Sequence, residues 1–153
     1  MKGRARFLGC AAAMALSFLA SGLRASAAGC TVSSGGVAFG SYSAFGVSAT
    51  NTTGTVTYSC SLPADAPAIA LSAGNSLVFS TRLLRNTAGD SLQYNLCREA
   101  GCASVWGDGT SGTSLFQAGD ASSGEATIFG RIPARQNVRA GDYTDSIVLT
   151  VSF

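Results

Sequence analysis

Cysteines carry the clearest chemistry in this 153-residue sequence. Cys10 lies in an N-terminal apolar stretch, and the remaining four follow it: Cys30, Cys60, Cys97 and Cys102. An even number of cysteines in a small exported domain predicts disulfides, and four cysteines allow three pairings. We favour Cys30 with Cys60 and Cys97 with Cys102, because Gly101 in the short "REAG" loop lets two strand ends approach. The longer of these loops would contribute about 3 to 4 kcal/mol in the chain-entropy model.

Two other roles for these cysteines stay open at this stage. A zinc site would need all four thiolates, since the chain has no histidine, and the C-x4-C spacing with two distant single cysteines is not a usual zinc pattern. Lipidation of Cys30 would use "AAGC" as a lipobox, but the bulky residue expected three positions before the cysteine is missing. It would also leave an odd number of thiols.

Other side chains that could do chemistry are scarce. Without histidine, neither a Ser-His-Asp nor a Cys-His arrangement can be built. In "WGDGTSGT", the single carboxylate of Asp108 falls short of the six to eight oxygen ligands that Ca²⁺ prefers, which favours a tight turn beside a buried tryptophan. The other aspartates considered lie in or beside turns rich in glycine and serine: Asp90, Asp120, Asp142 and Asp145. We therefore predict no catalytic residue, no cofactor and no metal, and a chain that is not an enzyme.

The first residues have the features of an export signal. "MKGRAR" is basic, an apolar stretch runs from Phe7 to Leu23, and Ala25 and Ala27 provide a small-x-small cleavage site. We predict a signal peptide over 1–27, or 1–28, and one domain over 28–153; a membrane anchor is the alternative, for which the stretch is short. Cleavage removes four of the ten basic residues and leaves six against eight acidic ones, a formal charge of −2. The remaining arginines are scattered, which disfavours nucleic-acid binding.

The mature sequence has the pattern of an all-β domain. Short alternating segments such as "TVTYSC", "AIALSA", "SLQYNL" and "ATIFGRI" are separated every eight to twelve residues by turn signals. Seven or eight strands in about 126 residues predict a two-sheet sandwich of immunoglobulin-like size. Its last strand has apolar residues at alternate positions: Ile147, Leu149, Val151 and Phe153.

Two further segments offer apolar side chains for binding. They are "SYSAFGV" with Tyr42 and Phe45, and "SLFQAG" with Leu115 and Phe116. Phe45 and Phe116 are the candidates for exposed apolar contacts, whereas packing in the core is the interpretation that we favour for these segments. The charges of Arg98 and Glu99, by contrast, are expected to be solvated at a sheet edge.

With these elements placed, the chain resembles the spore coat protein U domain family, whose domain is shared by subunits of archaic chaperone-usher pili. The resemblance rests on "GCTVSSGGVAFGSYS", "GTVTYSC", "LQYNLC", "VWGDGTSGT" and "IFGRIPARQNVRAGDYTDSIVLTVSF", in this order, and covers Cys30 to Phe153. It implies an incomplete immunoglobulin-like sandwich whose missing strand comes from a periplasmic chaperone and later from a neighbouring subunit. It also implies an acceptor groove bordered by Ile147, Leu149, Val151 and Phe153.

The resemblance has further consequences for cysteines, partners and function. The family's N-terminal disulfide maps onto Cys30 and Cys60, whereas the pair Cys97 and Cys102 is not required by the family pattern. The partners implied are a periplasmic chaperone, an outer-membrane usher and a neighbouring subunit. The subunit would pass through the periplasm to a pilus at the cell surface and act in adhesion and biofilm formation. A secreted spore coat or matrix protein is the alternative, and an exported hydrolase or carbohydrate-binding module is a third hypothesis.

The sequence departs from pilus rod subunits before its first mature cysteine. Rod subunits carry roughly ten to twenty residues there, enough to span a groove at about 3.3 Å per residue. After the predicted cleavage only Ala28 and Gly29 precede Cys30. We therefore expect a subunit that accepts a strand but does not donate one, and that lies at the tip of the pilus or caps its assembly rather than forming the rod.

Overall fold

The computed structural model describes residues 29–61, 67–119 and 122–152, and these form an all-β domain. Its strands are β1 (Cys30–Ser34), β2 (Thr50–Cys60), β3 (Ala68–Leu71), β4 (Arg82–Arg85), β5 (Ser91–Cys97), β6 (Phe116–Gln117), β7 (Ser123–Ile132) and β8 (Leu149–Ser152). One short 3₁₀ helix, Gly74–Ser76, lies between β3 and β4. No helix in the described part is long and apolar enough to cross a membrane. The predicted signal peptide, 1–27, lies outside the described residues.

The larger sheet has five antiparallel strands in the order β1-β2-β7-β5-β4. Its centre is the long pair of β2 and β7, in register from Thr50 opposite Ile132 to Ser59 opposite Ser123. Along β2, buried Val56 and Tyr58 alternate with Thr55, Thr57 and Ser59, which lie on the other face. This alternation turns one face of the sheet toward the core, as the sequence pattern predicted.

The smaller sheet has three strands in the order β6-β3-β8. Its central strand β3 is short and contributes Ile69 and Leu71, both buried, while β8 pairs with it from Leu71 opposite Leu149 to Ala68 opposite Ser152. β3 and β4 belong to different sheets and are separated by residues 72–81. Both lie beside the C-terminal residues, because β3 pairs with β8 and Arg85 of β4 forms a bridge with Thr144. The two sheets make the predicted immunoglobulin-like sandwich.

The core lies between the two sheets. Trp106 is fully buried, and its indole N–H donates to the Ile69 carbonyl oxygen at 2.9 Å. Side chains from both sheets pack in one apolar cluster, which includes Val56, Tyr58, Ile69, Leu71, Leu92, Tyr94, Leu96, Ala126, Ile128 and Ile132. Burial of this apolar surface is the main favourable contribution to the free energy of folding of such a sandwich.

The cysteines form two disulfides, Cys30 with Cys60 and Cys97 with Cys102. The first joins β1 to the end of β2, where these residues are opposite one another. The second closes the loop after β5. The four described cysteines are all paired, so none of them provides a thiolate for zinc, and across the described residues no group of three or more acidic or cysteine side chains is placed to hold a metal ion.

The structure decides between interpretations for two residues near Trp106. Phe116 is half-buried and not an exposed contact, in agreement with the core-packing interpretation, because its ring packs 5.8 Å from the ring of Tyr58 and 5.9 Å from that of Trp106. Arg98 is not a solvated edge charge, because its guanidinium lies 4.8 Å from the ring centroids of both Trp106 and Phe116. Such stacking of arginine on aromatic rings is a stabilising contact.

Candidate functional site

The C-terminal segment, residues 143–152, has one face directed inward and one outward. Its odd-numbered residues are half-buried and its even-numbered residues are exposed. The inward set is Tyr143, Asp145, Ile147, Leu149 and Val151. The alternation predicted for the last strand therefore starts several residues before β8 itself. We call residues 143–152 the C-terminal wall.

One edge of the C-terminal wall is hydrogen-bonded along much of its length. Thr144 exchanges backbone hydrogen bonds of 2.8 and 3.0 Å with Arg85, and the Ser72 N–H donates to the Val148 carbonyl at 2.9 Å. β8 continues this edge by pairing with β3. On the opposite edge, β8 has no strand partner within residues 29–61, 67–119 and 122–152. The backbone groups at Leu149 and Val151 face that open edge, because residues along a strand alternate in the side to which they bond.

A second wall is formed by residues 35–42, which follow β1 but are not themselves in a strand. Val37 and Phe39 lie against the inner face of the larger sheet over Gly54 and Gly130. A Cβ at Gly130 would be 2.8 Å from the Val37 side chain and 2.9 Å from the Phe39 ring. Only glycine permits such a close approach, so these two positions seat the second wall. The Thr52 hydroxyl adds a hydrogen bond of 2.8 Å to the Ala38 carbonyl.

Between the two walls runs a groove with an apolar floor, which we call the open groove. It consists of two adjoining cavities of about 300 and 690 Å³, which share Val37, Phe39, Leu84 and Asp145 in their linings. The smaller cavity is otherwise lined mainly by apolar side chains, including Leu71, Leu96, Ile128, Ile147 and Leu149. The larger includes Leu92, Ile132, Val138 and Tyr143. An apolar groove beside an unpaired strand edge is suited to receive one further β-strand.

Asp145 is the exception on the inward face of the C-terminal wall. Its Oδ1 accepts hydrogen bonds from the backbone N–H groups of Asn75, at 2.9 Å, and Ser146, at 2.8 Å. Its Oδ2 accepts a 2.7 Å hydrogen bond from the Tyr94 hydroxyl. A Cβ at Gly74, whose φ is +68°, would collide with this carboxylate. The carboxylate thus connects the wall to β5 and to the 3₁₀ turn.

Burial, together with the hydrogen bond to Asp145 and the negative charge of that carboxylate, raises the pKa of the Tyr94 hydroxyl far above its ordinary value. The main physical reason is that burial removes the water that would stabilise a phenolate, which would also be a second negative charge beside Asp145. Tyr94 therefore remains a hydrogen-bond donor to Asp145 at any ordinary pH.

A buried arginine supports the same wall from below. Arg82 is 0% exposed, and its Nε and Nη2 donate to the Ser72 carbonyl at 3.0 and 2.8 Å. The Ser72 hydroxyl in turn accepts the Val148 N–H at 2.9 Å. Further donors of Arg82 reach the Trp106 carbonyl and the Asn95 side chain. Burial lowers the pKa of the Arg82 guanidinium, while Tyr94 and Asp145 act in the opposite direction, and an arginine remains charged throughout.

The predicted site residues fall in different places. Ile147 and Leu149 line the open groove, and Val151 lies on the same inward face, opposite Ile69 of β3. Phe153 lies outside the described residues. Phe45 is 94% exposed, in a turn closed by a 3.0 Å hydrogen bond from the Gly46 N–H to the Ser43 carbonyl. Phe116 is in the core.

Sequence reasoning missed two parts of this site. Asp145 was interpreted as a turn aspartate, although it is the inward-facing residue two positions before Ile147. The period-two pattern, extended backward from Ile147, would have placed it there. Arg82 was treated as one of several scattered charges. No local signal distinguishes it, because its burial depends on partners far away in the sequence, at Ser72 and Trp106.

The chain is similar to a curated protein and, in its fold, to a solved structure. Protein U of Myxococcus xanthus is 35% identical over 82 residues, which cover 53% of this chain and 45% of Protein U. In the crystal structure of the CsuC–CsuE chaperone–tip adhesion subunit pre-assembly complex from the archaic chaperone-usher Csu pili of Acinetobacter baumannii, one chain has a TM-score of 0.59 and 16% identity. That match covers 82% of this chain and 40% of the solved one, and it supports the fold.

This chain therefore spans less than half the length of either protein. The family assignment rests on a longer match, because the Spore Coat Protein U domain matches residues 15–150, most of the sequence. That family is one of structural proteins, not enzymes. The chain belongs to the Spore Coat Protein U domain family.

Proposed function

We propose that this chain is a subunit of an archaic chaperone-usher pilus and that the open groove accepts a β-strand from another protein. The observation that carries the proposal is the edge of β8 that no described strand pairs with, above an apolar floor. Main-chain hydrogen bonds along this edge would provide affinity, and alternate side chains entering the groove would provide specificity. The family membership and the similarity to a chain of the Csu complex support this assignment.

In this proposal the strand is provided first by a periplasmic chaperone and later by a neighbouring subunit. An outer-membrane usher would order the exchange. The predicted signal peptide over 1–27 supports passage through the periplasm, and the pilus would then carry the subunit to the cell surface. Cys30 and Cys60 are paired, as expected for a domain that folds in an oxidising compartment.

The test is whether the domain is stable in the periplasm without a chaperone. The full precursor is expressed in a periplasm with and without a chaperone of an archaic chaperone-usher system. We expect degradation or aggregation without the chaperone, because the groove leaves apolar surface and a strand edge uncovered. With the chaperone we expect a soluble one-to-one complex. A folded, protease-resistant monomer in the absence of any chaperone would overturn the proposal.

The alternative is a secreted coat or matrix protein that folds without strand exchange. The similarity to Protein U and the name of the family favour it. The same expression experiment separates the two functions, because only the coat protein would be stable alone.

We further propose a position at the pilus tip and a role in adhesion and biofilm formation. The tip position follows from the predicted cleavage after Ala27, which would leave two residues before Cys30. N-terminal sequencing of the mature protein tests it, and a mature chain that begins near Leu16 would contradict it.

For adhesion, the exposed Phe45 is the candidate contact. Phe45→Ser should reduce attachment to an apolar surface without changing pilus assembly, whereas the neighbouring Ser48→Ala should change neither.

A further inference from the structure

A carboxylate on the inward face of an apolar groove calls for an explanation. Asp145 lies between Tyr143 and Ile147 on that face and lines both cavities of the open groove. No other charged residue lines the smaller cavity in the described part of the chain. A strand inserted along the C-terminal wall must therefore pass over this carboxylate.

The hydrogen-bonding capacity of Asp145 is not filled by the residues that the structure describes. An ionised carboxylate has about four acceptor sites. The backbone N–H groups of Asn75 and Ser146 use the two on Oδ1, and the Tyr94 hydroxyl uses one on Oδ2. In the open groove the remaining site is accessible to solvent. Once an inserted strand excludes water, that site is left without a partner unless the strand provides a donor.

We infer that Asp145 sets the register of the inserted strand by selecting a hydroxyl or amide side chain at the strand position that lies opposite Asp145. The inward side chains on either side of that position are apolar and fill the two cavities. This inference rests on the proposed function of the groove. It specifies the strand as one whose alternating apolar pattern is interrupted by one inward-facing hydrogen-bond donor.

The buried arginine decides which kind of donor fits. Arg82 is fully buried and interacts electrostatically with Asp145, so part of the negative charge is already balanced inside the domain. A lysine or arginine on the inserted strand would lose its hydration and meet a second cation. Serine, threonine or asparagine provides the donor without a charge.

The same feature prevents slippage. A purely apolar groove would tolerate a shift of the strand by two residues, because the same face would still be directed inward. With a carboxylate at one level, a two-residue shift places an apolar side chain over Asp145 and moves the donor into an apolar cavity. A single polar position inside an apolar contact is a known means of fixing register.

The test uses valine and threonine, which have nearly the same shape. The probe is an eleven-residue peptide with valine at its five inward positions and serine or lysine at its six outward ones. Five variants each carry one threonine in place of an inward valine. The oxidised mature chain is refolded with an equimolar mixture of the all-valine peptide and one variant, and native mass spectrometry measures the ratio bound.

We expect threonine to be favoured about threefold to tenfold at one position and disfavoured at the other four. With Asp145→Ala that position should prefer valine. Because this change could also loosen the wall, Tyr94→Phe serves as a second variant, which removes one bond to Asp145 but keeps the carboxylate and should keep the preference. Ser146→Ala, on the outward face beside Asp145, is the matched control; it keeps the backbone N–H that Asp145 accepts and should leave both binding and the preferred position unchanged.

The outcomes separate the two proposals. If valine is favoured at all five positions, the register inference is wrong while strand insertion stands. A lysine peptide that outcompetes threonine at the selected position would overturn the choice of a neutral donor. If no peptide binds, the proposed function of the groove fails, and the register inference fails with it.

Discussion

The middle of the larger sheet and the C-terminal wall are both built from long alternating segments, yet only one of them is complete. β2 and β7 each have a strand partner on both sides, and their inward apolar side chains belong to the core. The C-terminal wall has one paired edge, and its inward residues face a groove. The same sequence pattern thus serves stability where both edges are paired and binding where one edge is open.

The largest effect should come from a charge on the open side. Leu149→Asp places a carboxylate on the inward face of the wall, where an inserted strand would bury it without a partner. We expect loss of chaperone capture and of surface display, measured by co-purification and by surface labelling. Val151→Asp should act in the same way. Ser152→Thr, on the outward face, is the control and should assemble normally. Normal assembly of both aspartate variants would show that this strand is ordinary core.

A truncation in the core should affect the stability of the domain more than its recognition of an inserted strand. Trp106→Ala removes a fully buried ring and its hydrogen bond to the Ile69 carbonyl. We expect a loss of about 3 to 5 kcal/mol in the free energy of unfolding of the strand-filled domain, measured by urea denaturation. The register preference of the groove should not change. A changed preference at unchanged stability would mean that the two regions are not distinct.

A smaller effect is expected at the second wall. Gly130→Ala brings a methyl group against Val37 and Phe39 and should displace the wall from the sheet. Overpacking of this kind costs about 1 to 3 kcal/mol, which we expect to appear mainly as weaker peptide binding. Gly35→Ala is the matched control, since a Cβ there meets nothing within 4 Å. Equal binding by both variants would argue that the second wall does not border the inserted strand.

Much of the fold was predictable because the strands repeat every two residues. "TVTYSC", "AIALSA", "SLQYNL" and "ATIFGRI" all coincide with observed strands, and the all-β sandwich follows from their spacing. β4 was missed, because "RLLR" has arginines at both ends and its buried Arg82 breaks the expectation that charge lies outside. Its burial is possible only because distant carbonyl groups accept its donors.

The groove was predictable in part. The inward position of Ile147 and Leu149 followed from alternation, whereas the second wall did not, because residues 35–42 contain no strand. Their position depends on Gly54 and Gly130, and a glycine in a strand does not reveal which segment will lie against it. Contacts of this kind connect residues far apart in the sequence and have no local signature.

The smallest effect concerns the link between Tyr94 and Asp145. The pKa of Tyr94 is raised in the folded domain. As the pH rises above about 10, the Tyr94 hydroxyl therefore loses its proton in the unfolded chain before it does so in the folded domain. The stabilisation from this group is therefore fully present below that pH and is lost above it, by up to ~1.4 kcal/mol per pH unit.

Tyr94→Phe removes both the hydrogen bond and the titration. At pH 8 the variant should be less stable by about 1 kcal/mol. Above pH 10 the wild-type protein loses stability through Tyr94 and the variant does not, so the difference between them should shrink. Urea denaturation of the strand-filled domain at pH 8, 10 and 11 measures this convergence. Parallel curves would mean that the pKa of Tyr94 is not raised in the folded domain, so that neither burial nor the hydrogen bond to Asp145 holds its proton.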